Sequence, residues 1–203
     1  IRRPDPKGPG SPCRDKLSWV QGMLDACLAA LRRYGLALPP PVVVADSWFG
    51  DSKLMRHVRH QHQGTLLVEG KKSYVFTLTD GRQIKGSDLL TDAAWPWRDH
   101  PEEPRVRYRR LRATSPTYGP VTLVVVDEPG QDRFYLMCLS TSLSAPQLIR
   151  RWRRRNWIEF VFRTLKHLLA TEACQVHSED AYYGHLVLRL MASFVLFYTS
   201  RVI

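Results

Sequence analysis

The stretch VVVADSWFGDS, residues 42–52, decides how the chain is read. From Val42 to Ala45 the run is wholly apolar and mostly β-branched, and it stops at Asp46. A strand with one buried face alternates apolar with polar residues, so an unbroken run predicts a short central strand covered on both faces. The residues after Asp46 supply a polar turn, and a helix is expected from about Lys53 to Gln61. An acid is thereby placed at the carboxyl end of a strand, the edge at which α/β sheets form their crevices.

Toward the N-terminus, Leu17, Val20, Leu24, Cys27, Leu28 and Leu31 recur at steps of three and four. That spacing predicts an amphipathic helix over 16–34, with Asp15 as N-cap and Gly35 as stop. The leader IRRPDPKGPGSP has neither an initiating Met nor an apolar signal segment. The expectation is a chain that begins partway through a longer one.

Toward the C-terminus, TLLVEG, SYVFTLTDGRQIKG, VRYRRLRA and VTLVVVDEPGQDRFYLMCLS read as successive strands between Thr65 and Thr141. Turn signals at Asp80-Gly81 and Pro129-Gly130 make this an antiparallel β block. Residues 145–171 and 179–200 return to helix. The expected division is 1–64 for the first part of a core, 65–144 for its last strand and a β-rich insertion, and 145–203 for C-terminal helices.

With 203 residues, 44% hydrophobic and 24% charged, the chain can bury one sizeable core or one domain with a large insertion. Thirty basic against 19 acidic residues leave a formal charge of +11. Most of the basic residues are arginine, the better bidentate partner for phosphate, so a polyanion is the first partner to consider. Five of the six residues from Arg150 to Arg155 are arginine, and RVRYRRLR, residues 105–112, adds a second run. Both read as footprints of a phosphate backbone, against the plainer reading of a solvated positive face. Cys13, Cys27, Cys138 and Cys174 are far apart, form no C-x-x-C and fit a reducing compartment. The apolar tail from Ala181 to Ile203 is interrupted by His185, Arg189 and Arg201, which makes it a buried helix rather than a membrane span.

The chemistry is concentrated in RRWRRRNWIEFVFRTLK, residues 150–166. On a helix, Trp152, Arg155, Glu159 and Lys166 share one stripe, while Ile158, Phe162, Leu165 and Leu169 form an apolar side able to pack on a sheet. The plain reading is a surface ion pair worth about a few tenths of a kcal/mol. The chemical reading has Glu159 binding a divalent metal while Arg155 and Lys166 hold a phosphodiester. One carboxylate is a poor Mg²⁺ site, and Asp46 is the natural second acid, although a strand-end Asp is also an ordinary cap.

These residues resemble the insertion-sequence transposases of the DDE type that carry a Y-R-E-K signature, spaced Y-x-x-R-x-x-x-E-x-x-x-x-x-x-K. Trp152, Arg155, Glu159 and Lys166 match every spacing, with Trp in place of Tyr. VVVADSWFGD likewise looks like that family's second catalytic aspartate, and the β block lies where this class carries its insertion. The resemblance implies an α/β, ribonuclease-H-like catalytic core interrupted by a mostly antiparallel β insertion, with the N-terminal strands of the core, and the first aspartate on them, missing from this chain. It implies that Asp46 and Glu159 ligate metal, as two Mg²⁺ about 3.5–4 Å apart with Mn²⁺ as a substitute, for phosphodiester cleavage and strand transfer. Arg155 and Lys166 would neutralise phosphate near the cut. Trp152, Arg151, Arg153, Arg154 and Arg163 would contact DNA, the arginines through its backbone. Double-stranded DNA, as transposon ends and target, is the implied partner, with a homodimer in a synaptic complex and no membrane. The implied location is cytoplasmic and nucleoid-associated, in a bacterium.

A second register takes Asp46, Asp127 and Glu159 as the acids, although Asp127 looks like a hairpin-turn residue. His57, His60 and His62 have no cysteine nearby and read as the wet end of a helix rather than a zinc site. Trp95 and Trp97 fit either base stacking or loop anchoring. The alternative function is a non-catalytic DNA-binding or regulatory remnant of a transposase; an unrelated basic scaffold is the third.

Overall fold

Val42–Ala45 forms a strand, β1, in the computed structural model. The structure describes residues 16–35, 37–140 and 142–156, together with 159, 163, 178, 181, 184, 185, 187, 188 and 191. The expected N-cap Asp15, the helix over 179–200 as a whole, and Cys13 and Cys174 lie outside the described residues. Contacts divide the chain into two compact units, residues 1–152 and 153–203.

In the first unit the elements run α1 (Lys16–Arg33), β1, a 3-10 turn (Ser47–Phe49), α2 (Ser52–His62), β2 (Thr65–Glu69), β3 (Val75–Leu78), β4 (Gln83–Lys85), a short α3 (Gly86–Leu89), β5 (Arg98–His100), β6 (Glu103–Ser115), β7 (Gly119–Asp127) and β8 (Phe134–Cys138), followed by α4 (Ala145–Arg153) at the boundary. One eight-stranded sheet has the order β1-β2-β8-β7-β6-β3-β4, with β5 pairing β6 off this path. β1 and β2 are parallel, joined through α2, and the other pairings are antiparallel. The α/β class and the antiparallel β block are as the sequence leads one to expect. Gly81 and Gly130 take the positive φ values, +84° and +82°, that their tight turns require.

Side chains alternate between the two faces of this sheet. Val43, Ala45, Leu66, Val68, Leu123, Val125, Tyr135 and Met137 join one apolar cluster, which Leu54, Met55 and Val58 of α2 cover and against which Leu17, Val20 and Leu24 of α1 pack. Val42, Val44, Leu67, Val124, Val126, Leu136 and Cys138 join a second, covered by Leu148, Ile149 and Trp152 of α4. Fully burying each such side chain contributes about 1.5–3 kcal/mol. Coverage on both faces explains why β1 and β7 carry unbroken apolar runs. β1 is nevertheless not central: it ends the strand order among the described residues, and all four of its residues are only half-buried. An apolar run reports what covers the faces of a strand, not what pairs with its edges. Cys27, included in the predicted α1 stripe, is exposed.

Where β2 leaves the sheet, the backbone passes against a ring. A Cβ added to Gly70 would lie 1.8 Å from Cε2 of Tyr135. That ring is 1% exposed, and its hydroxyl donates to the Lys71 carbonyl at 2.6 Å, so it has no room to retreat. Gly70→Ala should cost about 3 kcal/mol and lower Tm by roughly 6–12 °C in a thermal melt. Gly119→Ala, where nothing lies within 4 Å of the added methyl, should cost only the strain of its positive φ.

Candidate active site

Asp46 follows the last residue of β1 and caps the 3-10 turn after it: its Oδ1 accepts the Trp48 N–H at 2.9 Å. The strand-end cap is therefore real. A carboxylate has about four acceptor sites, and this bond occupies one of them. Ala45 pairs with Val68, so continuing the parallel register sets Asp46 beside Glu69. A second acid thus stands at the same carboxyl edge. The sequence singled out no role for Glu69, whose position depends on a pairing between strands twenty residues apart.

The loop beyond Asp46 is held from the β block. The Gly50 carbonyl accepts from the hydroxyls of Tyr118 at 2.7 Å and Tyr74 at 3.2 Å. Burial, with Tyr74 beside it, pushes the Tyr118 phenol above its ordinary range, so it remains a protonated donor. Asp51, at the end of the loop, caps α2 by accepting the Lys53 N–H at 2.7 Å. Tyr118→Phe should cost about 1 kcal/mol, or roughly 2–4 °C in Tm. Replacing both tyrosines by Phe should cost more than the sum of the single changes, because only the double variant strips the buried carbonyl of both donors. Differential scanning calorimetry of the four proteins checks this coupling.

Asp127 ends β7, with β2 and β8 lying between it and β1. Three strand spacings put it roughly 14 Å or more from Asp46, too far to share a close pair of metal ions. Its carboxylate accepts from Arg107 Nη2 at 2.7 Å and Arg133 Nε at 3.1 Å. Burial would raise its pKa, but the two guanidiniums outweigh that and hold it below the usual carboxylate range. The register that used Asp127 as a catalytic acid does not form here.

The second basic run is also partly structural. The guanidinium carbons of Arg107, Arg109 and Arg133 lie 5.6, 3.8 and 5.2 Å from the centroid of the Trp97 ring. Arg109 is buried and donates to the Asp92 carbonyl. Trp95 and Trp97 are half-buried against the first cluster, Trp95 with Arg82 over it at 5.7 Å, which matches loop anchoring. Arg105, Arg110 and Arg112 of the same strand are exposed.

The predicted helix over 145–171 does not continue unbroken: α4 ends at Arg153, and Arg154 and Arg155 form a turn. Arg150 with Arg154 and Arg151 with Arg155 would set like charges one turn apart, which opposes helix continuation. Trp152 lies before this break and is 8% exposed in the second cluster. Its ring packs within that cluster. In the second unit, Arg155 Nη2 donates to Glu159 Oε1 at 3.1 Å, with Glu159 59% exposed and Arg155 27%. Arg154 and Arg163 are exposed, and Arg151 and Arg153 are half-exposed. Lys166 lies outside the described residues. Asp46 belongs to the first unit and Glu159 to the second.

Among the described residues no helix is long and apolar enough to cross a membrane. A family model described as Transposase DDE domain matches residues 20–195, most of the chain. No curated protein matches it.

Proposed function

This chain belongs to the transposase DDE domain family, its fold consistent with the ribonuclease-H-like type with a β insertion, and from that premise we propose that Asp46 and Glu159 are metal-binding acids of a Mg²⁺-dependent DNA transposase. The family generally uses a divalent metal and acts on DNA. The observation that carries the reading is the placement of Asp46 at the carboxyl edge of the parallel β1–β2 pair, the edge where α/β sheets bind their ligands.

The donor set fits the metal. Mg²⁺ prefers hard oxygen ligands, keeps several waters and is bound through one or two carboxylates together with substrate phosphates. Asp46 and Glu159 offer carboxylate oxygens, one beside a backbone cap and the other largely exposed. When bound, Mg²⁺ polarises a phosphodiester and supplies a nucleophilic water or 3′-hydroxyl near neutral pH, the chemistry of cleavage and strand transfer.

The chain's own residues orient and neutralise. Arg155, bonded to Glu159, fixes that carboxylate's direction and places a guanidinium where a scissile phosphate would need charge compensation. Lys166, seven residues beyond Glu159 along the sequence, takes the same neutralising task. Arg151, Arg153, Arg154 and Arg163 contact the DNA backbone and set position rather than sequence. The DNA is double-stranded, comprising the ends of the element and its target, and two ends are joined within a homodimer in the cytoplasm.

The test is cutting of DNA that carries the element's ends, with the protein expressed from its whole open reading frame. Strand cleavage that requires Mg²⁺ or Mn²⁺ and is lost in EDTA supports the reading. Salt-sensitive DNA binding without metal-dependent cleavage overturns it in favour of a non-catalytic, regulatory remnant.

A further inference from the structure

His57 and His62 lie in the second half of α2, five residues apart, and Asp25 lies on α1. The fold brings these three together. Nε2 of His57 and Nε2 of His62 each lie 2.7 Å from the same atom, Asp25 Oδ1, and the two rings meet edge to face with centroids 5.3 Å apart. All three ligand atoms lie within 4.8 Å of one another, the one such group of three among the described residues. The side chains of His57 and His62 are 18% and 7% exposed, and that of Asp25 is 48% exposed. Two imidazoles are thus held in place by packing, with an opening to solvent on the carboxylate side.

Two imidazole N–H groups donating to one carboxylate oxygen use both of its lone pairs, and each ring must then carry its proton on Nε2. The same three atoms also suit a metal: ligand atoms 2.0–2.1 Å from a tetrahedral Zn²⁺ lie roughly 3.3 Å apart, so each 2.7 Å contact has to open by about 0.6 Å. Imidazole selects Zn²⁺ over Mg²⁺, and two His with one Asp leave a fourth position for water.

We propose that Asp25, His57 and His62 form a Zn²⁺ site that clamps α1 to α2, separate from the catalytic acids. His60 takes no part, because it lies on the exposed side of α2. Loading changes the tautomer of each neutral ring: the proton leaves Nε2 to solvent and Nδ1 takes one up, so that each ring binds through its bare Nε2. Nδ1 of His62 is buried and has no hydrogen-bond partner in the structure. Such an N–H would be unpaired, so the affinity should fall below that of closed four-ligand sites, whose histidines have partners for this proton.

The experiment is metal titration of the purified, EDTA-stripped protein. Zn²⁺ is followed by competition with a chromophoric chelator, and Co²⁺ by the visible ligand-field bands of a tetrahedral nitrogen and oxygen site. One equivalent should bind, excess Mg²⁺ should not displace it, and Tm should rise on loading. Asp25→Asn, His57→Gln and His62→Gln should each weaken binding by more than about tenfold. His60→Gln, Asp46→Asn and Glu159→Gln should leave it unchanged. Circular dichroism of the metal-free variants separates lost ligands from lost folding, and should a single variant unfold, the other two still decide the matter. Failure of the wild-type protein to bind Zn²⁺, binding that survives the ligand substitutions in folded protein, or binding that depends on Asp46 and Glu159 would each overturn the proposal.

Discussion

Asp46→Asn and Glu159→Gln should each reduce Mg²⁺-dependent DNA cutting by a factor on the order of 10³ or more, about 4 kcal/mol in the barrier. Both changes keep size and remove charge, and their structural costs are small for reasons visible in the fold. Asn is as good a cap as Asp, so the Asp46 bond to the Trp48 N–H has a close replacement. The Arg155–Glu159 pair is an i,i+4 contact with its acid mostly exposed, a class worth only tenths of a kcal/mol. Loss of activity with an unchanged melt therefore cannot be assigned to unfolding. DNA affinity should hold or rise slightly, since each variant removes a negative charge from a chain already at +11. If Asp46 is only a cap and Glu159 only an ion-pair partner, both variants cut like the parent, and the catalytic assignment fails.

The second large effect concerns salt. A protein that neutralises six to ten phosphates loses about 10³–10⁵ in affinity between 50 and 200 mM salt, with a slope near 0.9 per phosphate. This chain should fall in that range in a fluorescence-anisotropy titration. Arg154→Ala with Arg163→Ala, both at exposed positions, should lower the slope by about 1.8 and weaken all DNA sequences alike. Arg107→Ala should behave differently. Its guanidinium is bonded to Asp127 and lies over Trp97, so its removal should lower Tm and leave the slope unchanged. A flat salt dependence would remove DNA as the partner.

These contrasts show where the residues alone were sufficient. The interval Val42–Ala45 is the observed strand, α2 was placed within a residue at either end, and the stripe of α1 was right except at Cys27. Such features follow from periods of two and 3.6 residues and from turn chemistry, which act over a few neighbours and need no knowledge of the rest of the chain. The candidate acids were legible for the same reason: Asp46 ends an apolar run, and Glu159 sits one turn from Arg155, which it does meet at 3.1 Å.

Other properties were not local. The arginines of residues 105–112 look alike in sequence, yet strand alternation and the loop that carries Trp97 bury Arg109, pair Arg107 with Asp127 and leave Arg105 and Arg112 exposed. Trp152 matches a signature position by spacing, while the second apolar cluster takes it out of solvent. Asp25 reads as one more polar residue on an amphipathic helix until α2 brings two histidines to it. Sequence by itself determined the first helix, β1, α2 and the antiparallel block, the sign of the charge and the spacing of the acids and their cations, because these depend on neighbours along one segment. Tertiary structure alone decided which cations are already paired, which aromatics are core and which distant side chains share a ligand, because those depend on contacts between segments whose separation in the chain says nothing of their separation in space.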